Sequence, residues 1–213
     1  FPEKLEAIKI DVKNTKVYLK IFSDLFIQYP FVNEKYGHAQ FTWGGGMEHQ
    51  TMSFMGAWSE GIIAHELAHQ WFGDKITCCS WQHIWLNEGF ATYYSRKYYE
   101  HKYGYNEGEY IRYSEMNSYF SSNKRWNRAT VQHHFIESMD LFDGHIYAKG
   151  SLILNMINDY LGQDAFSKGI QHYVNENQHK NVETSDLKKA FEEVTGKNLD
   201  WFFKQWVYEP GFP

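Results

Sequence analysis

The sequence predicts an α+β fold that is mostly helical, with a small sheet in the first third of the chain and an all-α lobe after it. Two segments of extended character, residues 38–43 and 47–54, are separated by three consecutive glycines. From Ser59 onward, apolar residues recur at intervals of three and four positions, which is the period of a helix with one buried face. Hydrophobic residues occupy 43% of the 213 positions, enough for a core, so a folded single domain (1–213) is expected.

The sheet is predicted to lie within residues 1–58, together with one helix. Residues 12–27 place apolar side chains at helical spacing over about four turns, and Tyr29-Pro30 ends the pattern. The glycines at 44–46 leave the backbone between the two predicted strands without side chains, so another molecule can approach it closely. We therefore expect an open strand edge at this point.

Residues 59–213 are predicted to form the helical part of the domain. Ser59 is a suitable N-cap for the first of these helices, and Gly73 is expected to end it. No linker rich in Pro, Gly or Ser separates this part from the first, which favours one domain. Further helices are predicted at residues 84–103, 107–121, 147–161, 164–176, 184–194 and 200–206.

Charge and hydropathy argue against two classes of partner. The formal net charge is −5 and no basic cluster is denser than Lys188-Lys189, so nucleic acid is not an expected partner. No apolar run approaches the roughly 20 residues of a membrane-spanning helix, so no membrane span is expected. Cys78 and Cys79 are adjacent, a spacing unlike that of metal ligands, and they are expected to be packing residues.

The first helix of the second part carries a pattern typical of metal sites. His65-Glu66-Leu67-Ala68-His69 places two imidazoles four residues apart, one turn apart on the same helix face, where both can reach one metal ion. A catalytic zinc site needs three protein ligands and an open fourth position for water. An ordinary surface helix with two solvated histidines is the alternative, so the third ligand decides between them.

Glu88 is the predicted third zinc ligand. The astacin-like and matrixin-like zinc peptidases would have Gly at position 72 and His at position 75, but Phe72 and Lys75 stand there. A carboxylate on the following helix is the other common solution, and Glu88 lies in the predicted helix 84–103. The sequence therefore predicts one zinc ion per chain, bound by His65, His69 and Glu88.

Four motifs give the chain a specific resemblance. Residues 65–73 (HELAHQWFG) and 85–91 (WLNEGFA), with the interval between them, resemble the gluzincin aminopeptidases typified by aminopeptidase N and the leukotriene hydrolase-aminopeptidases. Residues 45–49 (GGMEH) resemble that family's GxMEN exopeptidase motif, and 147–150 (YAKG) its Tyr-x-Lys-Gly segment. The closing residues 206–213 are similar to the end of the family's catalytic domain. The resemblance implies a thermolysin-like catalytic domain that is part of a larger multidomain enzyme.

The resemblance implies a zinc-dependent aminopeptidase, which hydrolyses the amino-terminal bond of peptides with a zinc-activated water. Glu66 can act as general base by taking the proton of this water. The hydroxyl of Tyr147 is implied to donate a hydrogen bond to the oxyanion that forms on the scissile carbonyl. Glu66 and Tyr147 are therefore the expected catalytic residues.

Glu48 is the expected group for recognising a free amino terminus, because a fixed carboxylate near the zinc pairs with the substrate ammonium. Gly45, Gly46 and Met47 are expected to bind the substrate backbone along the strand edge. The family's usual Asn after the Glu is replaced by His49. The expected partners are peptides with a free amino terminus and flanking domains of the same protein that complete the cleft.

Three other functions use part of the same pattern. A thermolysin-like endopeptidase needs the zinc ligands but no carboxylate for the substrate amine, so Glu48 argues against it. A catalytically inactive binding or scaffold relative would be expected to have lost a zinc ligand, Glu66 or Tyr147, and all of these are present. A bifunctional epoxide hydrolase, like the leukotriene enzymes, stays open at this stage.

Overall fold

The computed structural model describes residues 2–121 and 128–211, which form helices around one core and a small sheet near the start. The α+β, mostly helical class is confirmed. The helices are α1 (Leu5–Leu25), α2 (Glu60–Ala68), α3 (Trp85–Tyr103), α4 (Tyr105–Phe120), α5 (Ala148–Leu161), α6 (Gln163–Glu176), α7 (Thr184–Thr195) and α8 (Asp200–Phe203). The strands are β1 (Gly37–Gln40), β2 (Gly46–Met47), β3 (Met52–Met55), β4 (Thr77–Cys78) and β5 (Asn181–Val182).

The early sheet has three strands in the order β1-β3-β2. Strand β1 runs parallel to β3, whereas β2 runs antiparallel to it and lies at the sheet edge. The predicted single strand 47–54 is wrong in detail, because a turn divides it into β2 and β3. In this turn the amide of Met52 donates to the His49 carbonyl at 3.0 Å, and Thr51 adopts a left-handed φ of 61°.

Most helix boundaries lie within two residues of their predicted positions, and the N-cap is confirmed: the amide of Ile62 donates to Ser59 Oγ at 3.3 Å. Three boundaries differ by more: α1 begins at Leu5 rather than at residue 12, α2 ends at Ala68 rather than at Gly73, and α8 ends at Phe203 rather than at residue 206. Leu5 and Ile10 in the early turns of α1 are exposed, so no buried stripe in the sequence marks the start of this helix. The division of the domain at residue 58 stays a prediction.

Helix α3 lies at the centre of the core and packs against α2 on one side and α5 on the other. Its crossing with α5 is close because two glycines face each other: a Cβ at Gly150 would lie 2.9 Å from the Gly89 Cα. Aromatic rings fill the other contact, where Phe72 stacks on Phe90 with centroids 4.2 Å apart. The backbones of three helices are thereby held close together around the first turn of α3.

A second, two-stranded ladder lies within the helical part, where the sequence predicts only helices. Strands β4 and β5 pair in parallel and tie the segment after α2 to the segment before α7. Cys78 packs against the core as expected, but Cys79 is exposed, so the expectation of packing is wrong for Cys79. None of the helices in the described ranges has the combination of length and apolar character that crossing a membrane requires.

Candidate active site

Helices α2 and α3 bring the three predicted metal ligands together. Nε2 of His65 lies 3.1 Å from Nε2 of His69, and Glu88 Oε2 lies 3.1 Å from the first nitrogen and 3.3 Å from the second. A tetrahedral zinc ion with bonds of about 2.0–2.1 Å holds its nitrogen and oxygen ligands roughly 3.3 Å apart. The three atoms therefore fit such an ion.

His69 is held in the tautomer that a metal ligand needs. Its ring is buried, and Nδ1 lies 2.9 Å from the Phe72 carbonyl, which can only accept a hydrogen bond. Nδ1 therefore carries the hydrogen, and Nε2 presents its lone pair to the other two ligands. Gly73 makes room for this arrangement, because a Cβ there would lie 3.2 Å from the His69 Nδ1.

The charge balance at this point favours a cation. Burial by itself lowers the pKa of His69, but the carboxylates of Glu48 and Glu88 raise it well above its usual value. Burial likewise raises the pKa of Glu88, yet His69 and His65 hold it well below its usual range, so Glu88 is ionised. With Glu66, three carboxylates surround two imidazoles, and a divalent cation can balance their excess negative charge.

Glu66 is buried next to the three predicted ligands, and one of its oxygens lies within 4.8 Å of a His69 ring nitrogen. A Cβ at Gly46 would clash with the Glu66 carboxylate, so only glycine at this position lets the strand β2 pass it. Among the residues that the structure describes, Glu66 Oε2 has no hydrogen-bond partner. Burial raises the pKa of Glu66, and the two histidines partly offset this rise. A buried carboxylate with a free oxygen and a raised pKa is suited to accept a proton.

Tyr147 lies beside the predicted metal ligands, immediately before α5. Its ring centroid is 6.1 Å from that of His65, and its side chain is half-buried. Burial, followed by the charge of Glu88, raises the pKa of the Tyr147 hydroxyl far above its usual value. The hydroxyl therefore keeps its hydrogen at neutral pH and is available as a donor.

Glu48 follows β2 and closes the site on the side of the sheet. One of its oxygens lies within 4.8 Å of both a Glu66 oxygen and a His69 ring nitrogen. Gly45 and Gly46 line the same cleft, whereas the exposed Met47 is not among its lining residues. The exposed His49 ring packs edge-on against Phe54, with centroids 4.8 Å apart.

The inner end of the cleft contains residues that the motifs do not predict. Thr92, Ser95, Arg96 and Tyr99 line it from α3 at helical intervals after Glu88, so this spacing could have identified them. Glu115, which faces Arg96, comes from α4, and its position depends on how the two helices pack. The cavity has a volume of about 430 Å³.

A second groove leads away from the other side of Glu48. Its wall includes both thiols, the indole of Trp81, and the side chains of His133 and Phe135. Glu48 lies in the lining of both cavities, so its carboxylate stands where the cleft and the groove meet.

Comparison with known proteins identifies relatives of the chain. The model of the family described as "Peptidase family M1 domain" matches residues 47–206. "Probable aminopeptidase 1" of Sulfurisphaera tokodaii is 36% identical over 157 residues, which are 71% of this chain and 20% of that protein. "Tricorn protease-interacting factor F2" of Thermoplasma acidophilum is 40% identical over 156 residues, with the same coverage of 71% and 20%. The chain spans about a fifth of the length of these curated relatives.

Solved structures show the same fold. An M1 zinc metallopeptidase from Deinococcus radiodurans matches with a TM-score of 0.81 and 28% identity, over 94% of this chain and 44% of that one. Native yeast LTA4 hydrolase matches with a TM-score of 0.87, over all of this chain and 37% of that one. Its identity of 23% supports the likeness of the fold alone.

Proposed function

Because this chain belongs to peptidase family M1, we propose that it holds the catalytic site of a zinc-dependent aminopeptidase, which hydrolyses the amino-terminal bond of peptides. The observation that carries the proposal is the position of Glu48, whose carboxylate lies within 4.8 Å of Glu66 and His69. A carboxylate beside the hydrolytic groups suits the capture of a free ammonium group by a charge-assisted hydrogen bond. An endopeptidase would need the metal ligands but not this group.

The proposed zinc ion is held by His65, His69 and Glu88, one ion per chain. When bound, zinc would polarise the scissile carbonyl and lower the pKa of a water molecule towards about 7. Glu66 accepts the proton of the attacking water at its free oxygen and passes it to the leaving amine. Burial raises the pKa of Glu66. A general base works best when its pKa lies near the working pH, so this rise suits Glu66 to the proton transfer.

Tyr147 and the edge of the sheet complete the proposed site. The Tyr147 hydroxyl keeps its hydrogen and donates a hydrogen bond to the oxyanion of the tetrahedral intermediate. The substrate backbone lies along the edge strand β2, where residues 44–46 have no side chains to obstruct it. Glu48 then fixes the free amine one residue away from the bond that is cleaved.

We also propose that flanking domains of a longer protein complete the cleft. The relatives are about five times longer than the matched segment, which is 20% of their length. The cleft lies open between α3, α4 and the sheet edge, so a neighbouring domain can cover it. Such a cover would exclude water and restrict access to the ends of peptides.

The proposal is tested with two substrates that differ in one group. The purified protein is incubated with an amino acid amide that carries a free amine and a reporter, and separately with its acetylated twin. We expect elemental analysis to find zinc in the protein, with one ion at this site, and we expect cleavage of the free amine compound alone. Equal cleavage of both compounds would indicate an endopeptidase. A zinc-loaded protein that cleaves neither compound in the presence of its flanking domains would indicate an inactive relative.

A further inference from the structure

A second group of metal-compatible side chains lies outside the active site. Cys79, His83 and Glu183 bring ligand atoms within 4.8 Å of one another, and the Cys79 thiol donates to Glu183 Oε1 at 3.6 Å. Within residues 2–121 and 128–211, such side chains form three groups, and the other two both contain His69 of the active site. The group that contains Cys79 is therefore the candidate for a separate site.

Backbone contacts, rather than flexible side chains, determine the spacing of this group. Cys79 directly follows β4, and its amide donates to the Val182 carbonyl of β5 at 2.8 Å. Glu183 directly follows β5 and is the N-cap residue of α7, where its amide donates to Asp186 Oδ2 at 2.8 Å. The ladder thus holds the thiol and the carboxylate side by side, although they are far apart in sequence.

His83 adds an imidazole from the short 3₁₀ helix Trp81–His83. The ring is buried, its Nδ1 lies 3.0 Å from Thr184 Oγ1, and the Thr184 amide donates to the same Nδ1 at 3.3 Å. A metal on Nε2 would therefore require the ring hydrogen to move to Nδ1, where it would donate to Thr184 Oγ1 in place of the bond from the amide. A histidine ligand whose second nitrogen donates to a fixed acceptor is the arrangement found in most protein metal sites.

We propose that Cys79, His83 and Glu183 form a second metal site, which binds a thiophilic divalent transition metal such as Zn²⁺. A thiolate, an imidazole and a carboxylate are the donors that zinc takes in proteins, and three of them leave a fourth position for water. Magnesium and calcium require oxygen ligands, so this set disfavours them. Binding releases one proton, because the metal replaces the hydrogen of the Cys79 thiol.

The thiol allows this site to be observed separately from the active site. Co²⁺ bound to a thiolate shows a sulfur-to-metal charge-transfer band in the near ultraviolet, whereas the group of His65, His69 and Glu88 contains no sulfur. Metal-free protein is titrated with Co²⁺ and the band is recorded. We expect a band that saturates when this site holds one Co²⁺. The band should persist in His65→Ala, which lacks a ligand of the active-site group. It should also be present whether or not the protein is an active peptidase.

Two cysteine variants form the matched pair. Cys79→Ser should abolish the band, and because Cys79 is exposed, the variant should keep the wild-type melting temperature. Cys78→Ser removes the neighbouring thiol and should leave the band unchanged. A missing band in the wild type, a band that survives Cys79→Ser, or an equal loss in Cys78→Ser would overturn the proposed site.

A third variant tests the carboxylate. Glu183→Gln keeps an acceptor for the N-cap of α7 but removes the negative charge, so the helix start is preserved. We expect the affinity for Co²⁺ at this site to fall by at least about 10- to 100-fold. Loss of a residue that only supports a metal ligand typically costs that much, and loss of a ligand should cost no less. An unchanged affinity would show that Glu183 is not a ligand and would overturn the three-residue site.

Discussion

The two ends of the active-site cleft differ in how their charge is balanced. At the inner end, Glu115 Oε2 lies 3.9 Å from Nε of Arg96 and accepts a hydrogen bond from Ser151 Oγ at 3.0 Å. At the metal end, three carboxylates raise the pKa of His69, and the positive charge that would balance them has to come from a bound ion or substrate. The inner end thus pairs Glu115 with protein groups, although Arg96 Nε has no hydrogen-bond partner among the described residues, whereas the metal end has an excess of negative charge.

This difference predicts that neutralising a carboxylate has opposite consequences at the two ends. For Glu48 and Glu66 at the metal end it should reduce activity while leaving stability unchanged or higher, because like charges are close together there. At the inner end it should change stability and its pH dependence, with little effect on the reaction. Each substitution below is therefore measured for both properties.

Glu66→Gln should produce the largest change. The amide cannot accept the proton of the attacking water, so kcat should fall by about 10²- to 10⁴-fold. Zinc content should be retained, because Glu66 does not belong to the ligand group of His65, His69 and Glu88. Steady-state kinetics with a free amine substrate and elemental analysis check the two parts. Turnover within tenfold of the wild type would contradict the assignment of Glu66 as the base.

Glu48→Gln should produce the next largest change, and it should depend on the substrate. We expect kcat/KM for a free amine substrate to fall by about 10- to 100-fold, since the charge-assisted hydrogen bond to the ammonium is worth about 1.5–3 kcal/mol. Any slow cleavage of the acetylated twin should be unaffected. A loss of zinc in this variant would show that Glu48 acts on the metal rather than on the amine.

Gly150→Ala tests whether the helix crossing positions the metal end. The new methyl group would lie 2.9 Å from the Gly89 Cα, so the free energy of unfolding should fall by about 1–3 kcal/mol. Glu88 and Tyr147 are neighbours of these glycines, and zinc affinity should fall as well. The control is Gly44→Ala, where the added Cβ meets nothing within 4 Å among the described residues. Denaturant unfolding measures the stability of both variants. Equal stability of the two would show that the close crossing of α3 and α5 is not the cause of any loss in Gly150→Ala.

The comparison of the two ends also shows which parts of the site the sequence predicts. His65, Glu66 and His69 lie within one helix, where spacing determines which side chains share a face, so their placement follows from local geometry. Glu115 reaches Arg96 only because α4 packs on α3, and no local pattern in the sequence contains that information. The structure brings the predicted ligands together, and their role in binding zinc stays a prediction.

The fold shows the same limit. Apart from the exposed start of α1, the long helices are predicted within a few residues, because many buried positions contribute to the pattern. The ladder of β4 and β5 has two residues in each strand, too few to show an alternation, and its partners are far apart in sequence. Cys79 and Glu183 meet through this ladder, so the sequence gives the residue types of the second proposed metal site without their proximity.

Glu115→Gln should produce the smallest change, in the pH dependence of stability. Burial raises the pKa of Glu115 from 4.5 to about 7, although Arg96 opposes the rise. The native state therefore binds more protons than the unfolded state between these values, and this contribution is fully present below pH 4.5 and lost as the pH rises through 7.

Between pH 4.5 and 7, the unfolding free energy of the wild type should therefore fall by about 1–3 kcal/mol more than that of Glu115→Gln. Asp74, whose pKa burial also raises to about 7, is present in both proteins, so its contribution cancels in the difference. Urea unfolding of both proteins across this pH range measures the two slopes, and kcat on a short substrate should stay within a few-fold. Parallel slopes would show that Glu115 is ionised throughout, as one half of a persistent ion pair with Arg96. A large loss of kcat would instead show that Glu115 contributes to the reaction. The two ends of the cleft would then no longer differ in their effect on activity.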